Sequence, residues 1–455
     1  MAHELKVEDT VVAIASPPGQ GAVAILRVSG PEAIPIAKRI FRSKSGEIKW
    51  PPRVLLLGNI MNSDDEIIDQ VLLSIFIGPA SYTGENLIEI TCHGGALVTQ
   101  TVLETVILAG ARLAEPGEFS KRSFLNGKMD LTQAEAVMDL ISAKTALALR
   151  AANSQLEGQL GIRISELKQI LLSVLAHVEA YIDFPDEDID PDVNDSIIRR
   201  LEALSESIGN LIRTAEQGRV LREGLHVVIS GPPNAGKSSL LNELVGYDRA
   251  IVSDLAGTTR DTIEEMINLE GIPVRLTDTA GIREVEELIE SEGVLRAKRE
   301  LKRADLILAV VDATIDKKEN EMIESIFTDE INQIKVFNKV DKGIHESYKE
   351  EEGVHVSCVE GTGIELLVGL IVKSCLGGGD QFTKNLIAVN SRHRSCLERA
   401  RTNIDQAIDS LKQGVEPEFV SVDLRESLDS IGEIVGKADV EDLLGEIFSS
   451  FCIGK

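Results

Sequence analysis

The sequence is poor in positive charge: 47 Lys and Arg face 74 Asp and Glu, for a formal net charge of −27 over 455 residues. That balance excludes a chain that attracts nucleic acid by its own field, so any such contact needs a local basic patch or a basic partner. Cysteine is scarce too. Cys92, Cys358, Cys375, Cys396 and Cys452 are odd in number and scattered, with no C-x-x-C pair. They argue against a disulfide framework, offer no zinc-site spacing, and suit a reducing compartment. Long hydrophobic runs are missing; Leu306–Val311, closed by Asp305 and Asp312, is far too short to span a membrane. The opening MAHELKVEDT carries acids and no apolar core, so no signal peptide is expected. There is no internal repeat and no low-complexity tract. The 43% hydrophobic and 27% charged residues are ordinary for a globular protein, and the length predicts about three domains. The expectation is a soluble, multidomain, cytoplasmic protein.

Up to residue 120, β-branched and apolar runs alternate with helical periodicity at Pro31–Phe41 and Ala96–Ala109. The runs are Val11–Ala15, Gly21–Val28, Val54–Ile60, Val71–Phe76 and Leu87–Thr91. This predicts an N-terminal α+β domain. Leu131–Tyr181 is almost free of proline and amphipathic, and Thr132 with Glu135 resembles a capping box. Further helices are predicted over Asn194–Gln217, Ser391–Gln413 and Ser421–Ser449. Between them, strands at His226–Ser230, Val274–Asp278, Leu306–Val311, Ile334–Asn338 and Gly353–Ser357 alternate with helical stretches. That is the pattern of a doubly wound, mostly parallel sheet. The expected organisation is an N-terminal domain over 1–120, a helical domain over 121–220 and 377–455, and a Ras-like P-loop domain over 221–376 inserted into the helical one.

Gly231-Pro-Pro-Asn-Ala-Gly-Lys-Ser238 fits G-x-x-x-x-G-K-[ST], with a strand before it and a helix after it. Glycines let successive N–H groups turn toward phosphate, and the helix N-terminus adds its positive end. Lys237 would bridge the β- and γ-phosphates, and Ser238 would give an oxygen to Mg2+. Asp278-Thr-Ala-Gly281 closes the next strand; its carboxylate can hold Mg2+ through water, and Gly281 can bring its N–H to the γ-phosphate. Asn338-Lys-Val-Asp341 follows a further strand. A buried Asp341 carboxylate would accept from the N1–H and N2–H2 edge of guanine, which adenine lacks, and so select GTP. Asn338 would buttress the loop, the Lys339 stem would lie along the base, and Ser357-Cys-Val359 would offer an N–H to guanine O6. Gly257-Thr-Thr-Arg-Asp261 stands at the position of a first switch loop, with Thr258 and Thr259 able to meet Mg2+ or the γ-phosphate; alone, it also reads as a polar turn. Four motifs in order, each behind a strand, point to a GTPase.

Gly231–Ser238 with Asn234, Gly257–Asp261 and the terminus Phe451-Cys-Ile-Gly-Lys455 closely resemble the MnmE (TrmE) family of tRNA-modification GTPases. The likeness covers essentially the whole chain. It includes Pro17-Pro-Gly19, Ser81-Tyr-Thr-Gly-Glu85, His93-Gly-Gly95, Pro116-Gly-Glu-Phe-Ser120, Phe184-Pro-Asp186 and Leu221-Arg-Glu-Gly224. The resemblance implies a folate-binding, dimerising N-terminal domain and a homodimer. It also implies a flavoprotein partner, MnmG (GidA), in a heterotetramer that modifies C5 of the wobble uridine of certain tRNAs. The group added is of the carboxymethylaminomethyl type, with a one-carbon unit from 5-formyl- or methylene-tetrahydrofolate.

The implied GTP contacts run over Asn234, Ala235, Gly236, Lys237, Ser238 and Ser239, and over Ser253, Asp254, Leu255, Ala256, Gly257, Thr258 and Thr259. They continue through Asp278, Thr279, Ala280 and Gly281, then Asn338, Lys339, Val340 and Asp341, and Ser357, Cys358 and Val359. Mg2+ falls to Ser238 and Thr259. A stimulating K+ falls to Asn234, Thr258 and the carbonyls of Ser253 and Leu255, and offsets charge between the β- and γ-phosphates. Glu290 matches the water-orienting glutamate; read without the likeness it is one acid on a solvated helix, with Glu287 and Glu292 as neighbours.

Arg27, Glu89, Lys128 and Lys455 match the folate pocket. Read alone, Arg27 and Glu89 are outward strand residues and Lys128 a turn residue. Cys452 is either a nucleophile or general acid, or a packed thiol. His93 is expected to shape a turn. Arg392-His-Arg394 with Arg399 and Arg401 is either a solvated helix face or a contact for tRNA phosphates, most of the tRNA affinity coming from the partner. Two functions stay open: a K+-stimulated GTPase that takes part in the modification, and a nucleotide-gated binding switch or ribosome-assembly GTPase without that role.

Overall fold

The computed structural model describes residues 9–44, 46, 49–183, 192–247, 264–278, 299–317, 332–376, 389–436, 444–445, 447–448, 451 and 454. It divides into two compact units, residues 1–138 with 431–455 and residues 139–430. In the first unit, β1 (Val11–Ile14), β2 (Val23–Ser29), α1 (Ala33–Ile40), β3 (Phe41–Ser43), β4 (Leu56–Met61) and β5 (Ile67–Phe76) come first. β6 (Leu87–His93), α2 (Ala96–Leu108), β7 (Arg112–Leu113), α3 (Glu118–Leu125) and α4 (Leu131–Ser142) follow. The strands form one sheet in the order β3-β4-β5-β6-β2-β1-β7, antiparallel except for β1 with β7. The period of two decides which face is buried. Ala24, Leu26 and Val28 of β2 point into a core with Ile36, Leu73, Ile90 and Val102, while Arg27 takes the other face. β3 and β7 are too short for an alternation to reveal them.

The Leu131–Tyr181 stretch is three helices, not one: α4, α5 (Ala146–Leu156) and α6 (Gln159–Asp183). Thr145 caps α5 by accepting from Ala148 N–H, and Gly158, at φ +82°, separates α5 from α6. The capping box of α4 sits two residues earlier than expected. Asp130 Oδ1 accepts from Gln133 N–H at 2.9 Å, Gln133 Oε1 accepts from Asp130 N–H at 3.0 Å, and the Thr132 hydroxyl donates to Asp130 at 2.6 Å.

α7 (Asp192–Glu223) leads into β8 (Leu225–Ser230), α8 (Lys237–Tyr247), β9 (Glu264–Leu269), β10 (Ile272–Asp278), β11 (Leu306–Asp312), β12 (Gln333–Asn338), β13 (Val354–His355) and α9 (Ile364–Leu376). The sheet order is β13-β12-β11-β8-β10-β9, and every pairing is parallel except β10 with β9. This is the doubly wound, mostly parallel sheet that the sequence predicts, with one unpredicted edge strand. β9 joins β10 through Glu270 and Gly271, both at positive φ (50° and 94°), the conformation of a two-residue hairpin turn.

α10 (Ser391–Gln413) and α11 (Pro417–Val435) follow. α10 is tied to α7 by Ser205 Oγ donating to Asp405 at 2.7 Å and by Lys412 on Glu202 at 2.7 Å. Within the span predicted as one helix to Ser449, α11 ends at Val435, and Leu444, Gly445, Ile447 and Phe448 are helical again. Gly436 turns the backbone to φ +90° and sits against the Phe124 ring. Among the described residues no helix is long and apolar enough to cross a membrane.

Candidate functional site

Three polar residues end three parallel strands: Asp278 on β10, Asp312 on β11 and Asn338 on β12. The Gly231–Gly236 loop leaves β8 at the same edge, and α8 starts at Lys237. The carboxyl edge of an open α/β sheet is where ligands bind, and the start of a helix favours anions.

Local sterics shape the loop. A Cβ on Gly231 would lie 2.1 Å from Val310 O, and one on Gly236, at φ +93°, would lie 2.1 Å from Asn338 Nδ2. Asn234 takes a left-handed φ of 61° although it has a side chain. Lys237 is buried, and its Nζ donates to Pro232 O at 2.8 Å, folded back over its own loop. The Ser238 hydroxyl donates to Asp278 Oδ2 at 2.9 Å. These two hard oxygen donors suit Mg2+. Among the described residues no three His, Cys, Asp or Glu converge, so phosphate oxygens and water would complete its shell.

The Asn338–Asp341 loop is bolted to the Gly231–Gly236 loop. Asn338 Nδ2 donates to Ala235 O at 2.9 Å, and its Oδ1 accepts from Lys339 N–H at 2.8 Å. Lys339 Nζ donates to Asn234 O at 2.7 Å and to Asp312 Oδ2 at 2.6 Å. Burial alone would raise the Asp312 carboxyl, but Lys339 and Thr314 outweigh it and hold it below the usual carboxylate range. Asp341 is exposed, not buried as expected, because Val340–Lys342 is a surface turn. The Ser357 hydroxyl holds its Oδ1 at 2.8 Å. Burial, with the charge of Glu243, pushes the Cys358 thiol up to about 11, so this residue stays a thiol. Val359 is exposed. Asp312 and Thr314 were missed from the sequence; the available signal was an acid at the end of a parallel strand.

Ser253, Asp254, Leu255, Ala256, Gly257, Thr258, Thr259, Thr279, Ala280, Gly281 and Glu290 lie outside the described residues, as do Cys452 and Lys455.

In the first unit Arg27 and Glu89 are register partners on β2 and β6, joined by Arg27 Nε donating to Glu89 Oε1 at 2.8 Å. The guanidinium lies 5.6 Å from the centre of the Tyr82 ring. Tyr82 belongs to the Ser81–Glu85 loop, whose Gly84 stands against Asn126 and Lys128. Lys128 is exposed and lines an open cleft of about 430 Å3 with Phe124, Met129, Gln133 and Val435. Gly454 stands against Ile14 and Ala15, beside Ala13, the register partner of Arg27.

The loop is held by Arg122, only 1% exposed, which sequence reasoning also missed. Arg122 donates to Glu85 Oε2 at 3.2 Å, Asp9 Oδ1 at 2.7 Å and Glu118 Oε1 at 2.8 Å. Its signal lay in the Ser81–Glu85 and Pro116–Ser120 motifs that surround it. His93, expected to shape a turn, ends β6 and pairs its ring with Asp69 of β5 at 2.7 Å. The basic stretch is largely met from within. His393 is buried as the third residue of the α10 capping box, Arg394 pairs with Glu398 at 2.7 Å, and Arg401 reaches Asp405 at 3.8 Å.

The family model of the MnmE helical domain matches residues 131–452, and that of the GTP-binding protein TrmE N-terminus matches residues 10–128. The tRNA modification GTPase MnmE of Akkermansia muciniphila is 49% identical over 451 residues, covering 98% of this chain and 99% of that protein. Its counterpart from Aquifex aeolicus is 45% identical over 453 residues, covering 99% and 100%. Among solved structures, the G domain of the T. maritima FeoB iron transporter is 26% identical, over 33% of this chain and 98% of its own, with a TM-score of 0.26.

Proposed function

The chain belongs to the MnmE family of tRNA modification GTPases, and from that premise we propose that it hydrolyses GTP as half of a wobble-uridine-modifying complex. The partner is the flavoprotein MnmG, and the reaction adds a carboxymethylaminomethyl-type group at C5 with a tetrahydrofolate one-carbon unit. The protein works in the cytoplasm as a homodimer of three-domain subunits (1–120; 121–220 with 377–455; 221–376).

The observation that carries the nucleotide half is the double bridge from Asn338 and Lys339 to the carbonyls of Ala235 and Asn234. It fits a site that reads a base and grips its phosphates as one body. Asp341 accepts from the guanine edge. Lys237 swings from Pro232 O to the β- and γ-phosphates, exchanging a neutral acceptor for charged ones. Ser238 and Thr259 would hold Mg2+, with Asp278 behind, and the ion would screen the phosphate charge. Asn234, Thr258 and the carbonyls of Ser253 and Leu255 would hold K+, which would offset charge developing on the phosphates. Glu290 orients the attacking water. Arg27, Glu89, Lys128 and Lys455 take the folate, with cations for its glutamate tail and a carboxylate for its pterin N–H groups; Cys452 is the candidate nucleophile or general acid.

Phosphate release from GTP in KCl against NaCl tests this, for wild type and Asn234→Ala. A large K+ advantage, lost in the variant, is expected. Equal rates in both salts would remove the cation site, and no hydrolysis in either would remove the GTPase. A wild-type protein with no affinity for 5-formyl-tetrahydrofolate would favour the nucleotide-gated switch.

A further inference from the structure

We propose that Asp312 is a positioning residue of the guanine-nucleotide site, acting through Lys339 on the peptide of Asn234. The inference rests on the guanine-nucleotide reading above and adds to it a residue that never meets the ligand.

Asp312 is the last residue of β11 and the register partner of Asn338, so its backbone is fixed by the sheet. Its carboxylate is fixed as well. Oδ1 accepts from Thr314 N–H at 2.9 Å and from the Thr314 hydroxyl at 2.6 Å, which leaves Oδ2 aimed at Lys339 Nζ, 2.6 Å away. A lysine ammonium is a point charge on a flexible four-carbon stem, and it holds one position only when several acceptors converge on it. Here Asp312 supplies the charged acceptor and Asn234 O the neutral one, at 2.7 Å.

The second contact matters because of the backbone that it holds. Asn234 sits at φ 61°, in the left-handed region that most L residues avoid and that asparagine enters at modest cost, so its peptide leans on the constraints around it. The Lys339 bond to the Asn234 carbonyl is one such constraint, and Asp312 keeps Lys339 in reach of it. Without that carboxylate the stem regains its rotamers, the Asn234 peptide loses a donor, and a nucleotide must order the loop as it binds. The cost then appears in affinity. A purely structural Asp312 would move the melting temperature and leave affinity alone.

Full-length wild type, Asp312→Asn, Lys339→Ala and the double variant are titrated with a fluorescent GDP. Asparagine keeps the size of the side chain and an oxygen for Thr314, and it loses the charge. Asp312→Asn should weaken GDP roughly tenfold, the scale of one charge-assisted hydrogen bond. It should weaken it less than about twofold in the Lys339→Ala background, because its route is then gone. Wild-type affinity in Asp312→Asn, or the same loss in both backgrounds, overturns the proposal. Should Asp312→Asn fail to fold, Thr314→Val loosens the same carboxylate and must give a smaller loss that also vanishes with Lys339→Ala. Wild-type protein that binds no GDP would overturn the guanine reading itself, a result distinct from either.

Discussion

Replacing Gly236 with alanine should loosen nucleotide binding far more than it disturbs the fold. The new methyl would stand at φ +93° and 2.1 Å from Asn338 Nδ2. An L residue in the left-handed region costs about 1–2 kcal/mol. The Asn338 amide cannot yield freely. It is 2% exposed, its nitrogen is spent on Ala235 O, and its oxygen takes the N–H groups of Lys339 and Cys358. Breaking the Ala235 bond without replacing it costs a further ~1–3 kcal/mol. The sum, about 2–5 kcal/mol, corresponds to roughly one and a half to three and a half decades of affinity. The empty loop can relax and avoid much of the strain, whereas the bound loop cannot, so the loss falls on binding. GDP titration beside thermal melting separates the two. Gly246 on α8 is the internal control, because nothing lies within 4 Å of the Cβ it would carry. Gly246→Ala should leave affinity unchanged and add up to ~1 kcal/mol of stability through helix propensity. A Gly236→Ala protein that binds GDP as wild type does would refute the steric reasoning.

Asp341→Asn turns an acceptor into a donor facing the guanine amino group, so GDP should weaken by about a hundredfold or more while xanthosine diphosphate, with a carbonyl there, gains; a competition titration reads both. Glu89→Gln should weaken 5-formyl-tetrahydrofolate roughly tenfold by calorimetry, since a neutral amide is the poorer acceptor for pterin N–H groups, and unchanged binding would remove Glu89 from the pocket. Burial would raise the Asp9 and Glu118 carboxyls, but Arg112 and Arg122 outweigh it and hold both below their ordinary 3.8 and 4.5. Their stabilising contribution is therefore present above those values and lost as the pH falls below them. Arg122→Gln strips a buried cation from the buried Glu118 carboxylate, which should cost ~3–5 kcal/mol and move the onset of acid unfolding to higher pH; circular-dichroism melts between pH 3 and 7 would show it, and an unmoved onset would count against the network.

The parts of the fold that were legible are those whose burial writes a one-dimensional signal. β11 lies inside the sheet and reads as an unbroken apolar run, Leu306–Val311, while β8 and β10 stay mostly apolar, broken by His226 in the first and by Arg275 and Thr277 in the second. β9 is an edge strand in which, among the described side chains, only Ile267 and Leu269 are buried, and the acidic Glu264-Glu265 start disguises it in sequence. The sequence offers two overlapping boxes at the start of α4, Asp130 with Gln133 and Thr132 with Glu135. Only the three-dimensional path of the backbone makes the first one the cap. The phosphate loop was legible because its glycines answer local sterics. Asp312 and Arg122 were not, because each acts over a distance in sequence that no motif records. Asp312 reaches Lys339, 27 residues on, and Arg122 reaches Asp9, 113 residues back.

The two bridges at the sheet edge carry a consequence for selectivity. Asn338 and Lys339 are neighbours in the loop proposed to read the base, yet both spend their side chains on carbonyls of the loop proposed to take the phosphates. If base and phosphate were bound by independent sites, Asn338→Ala would leave a ligand that has no base unaffected. The geometry argues otherwise. Removing the amide leaves Ala235 O, in a residue 1% exposed, without that donor, and frees the peptide that sets the entry to α8. Inorganic pyrophosphate, competed against fluorescent GDP, should therefore bind Asn338→Ala several-fold more weakly than wild type, on the scale of one neutral hydrogen bond. An unchanged pyrophosphate constant would mean that the two loops touch without coupling, and guanine selection would then rest on Asp341 alone.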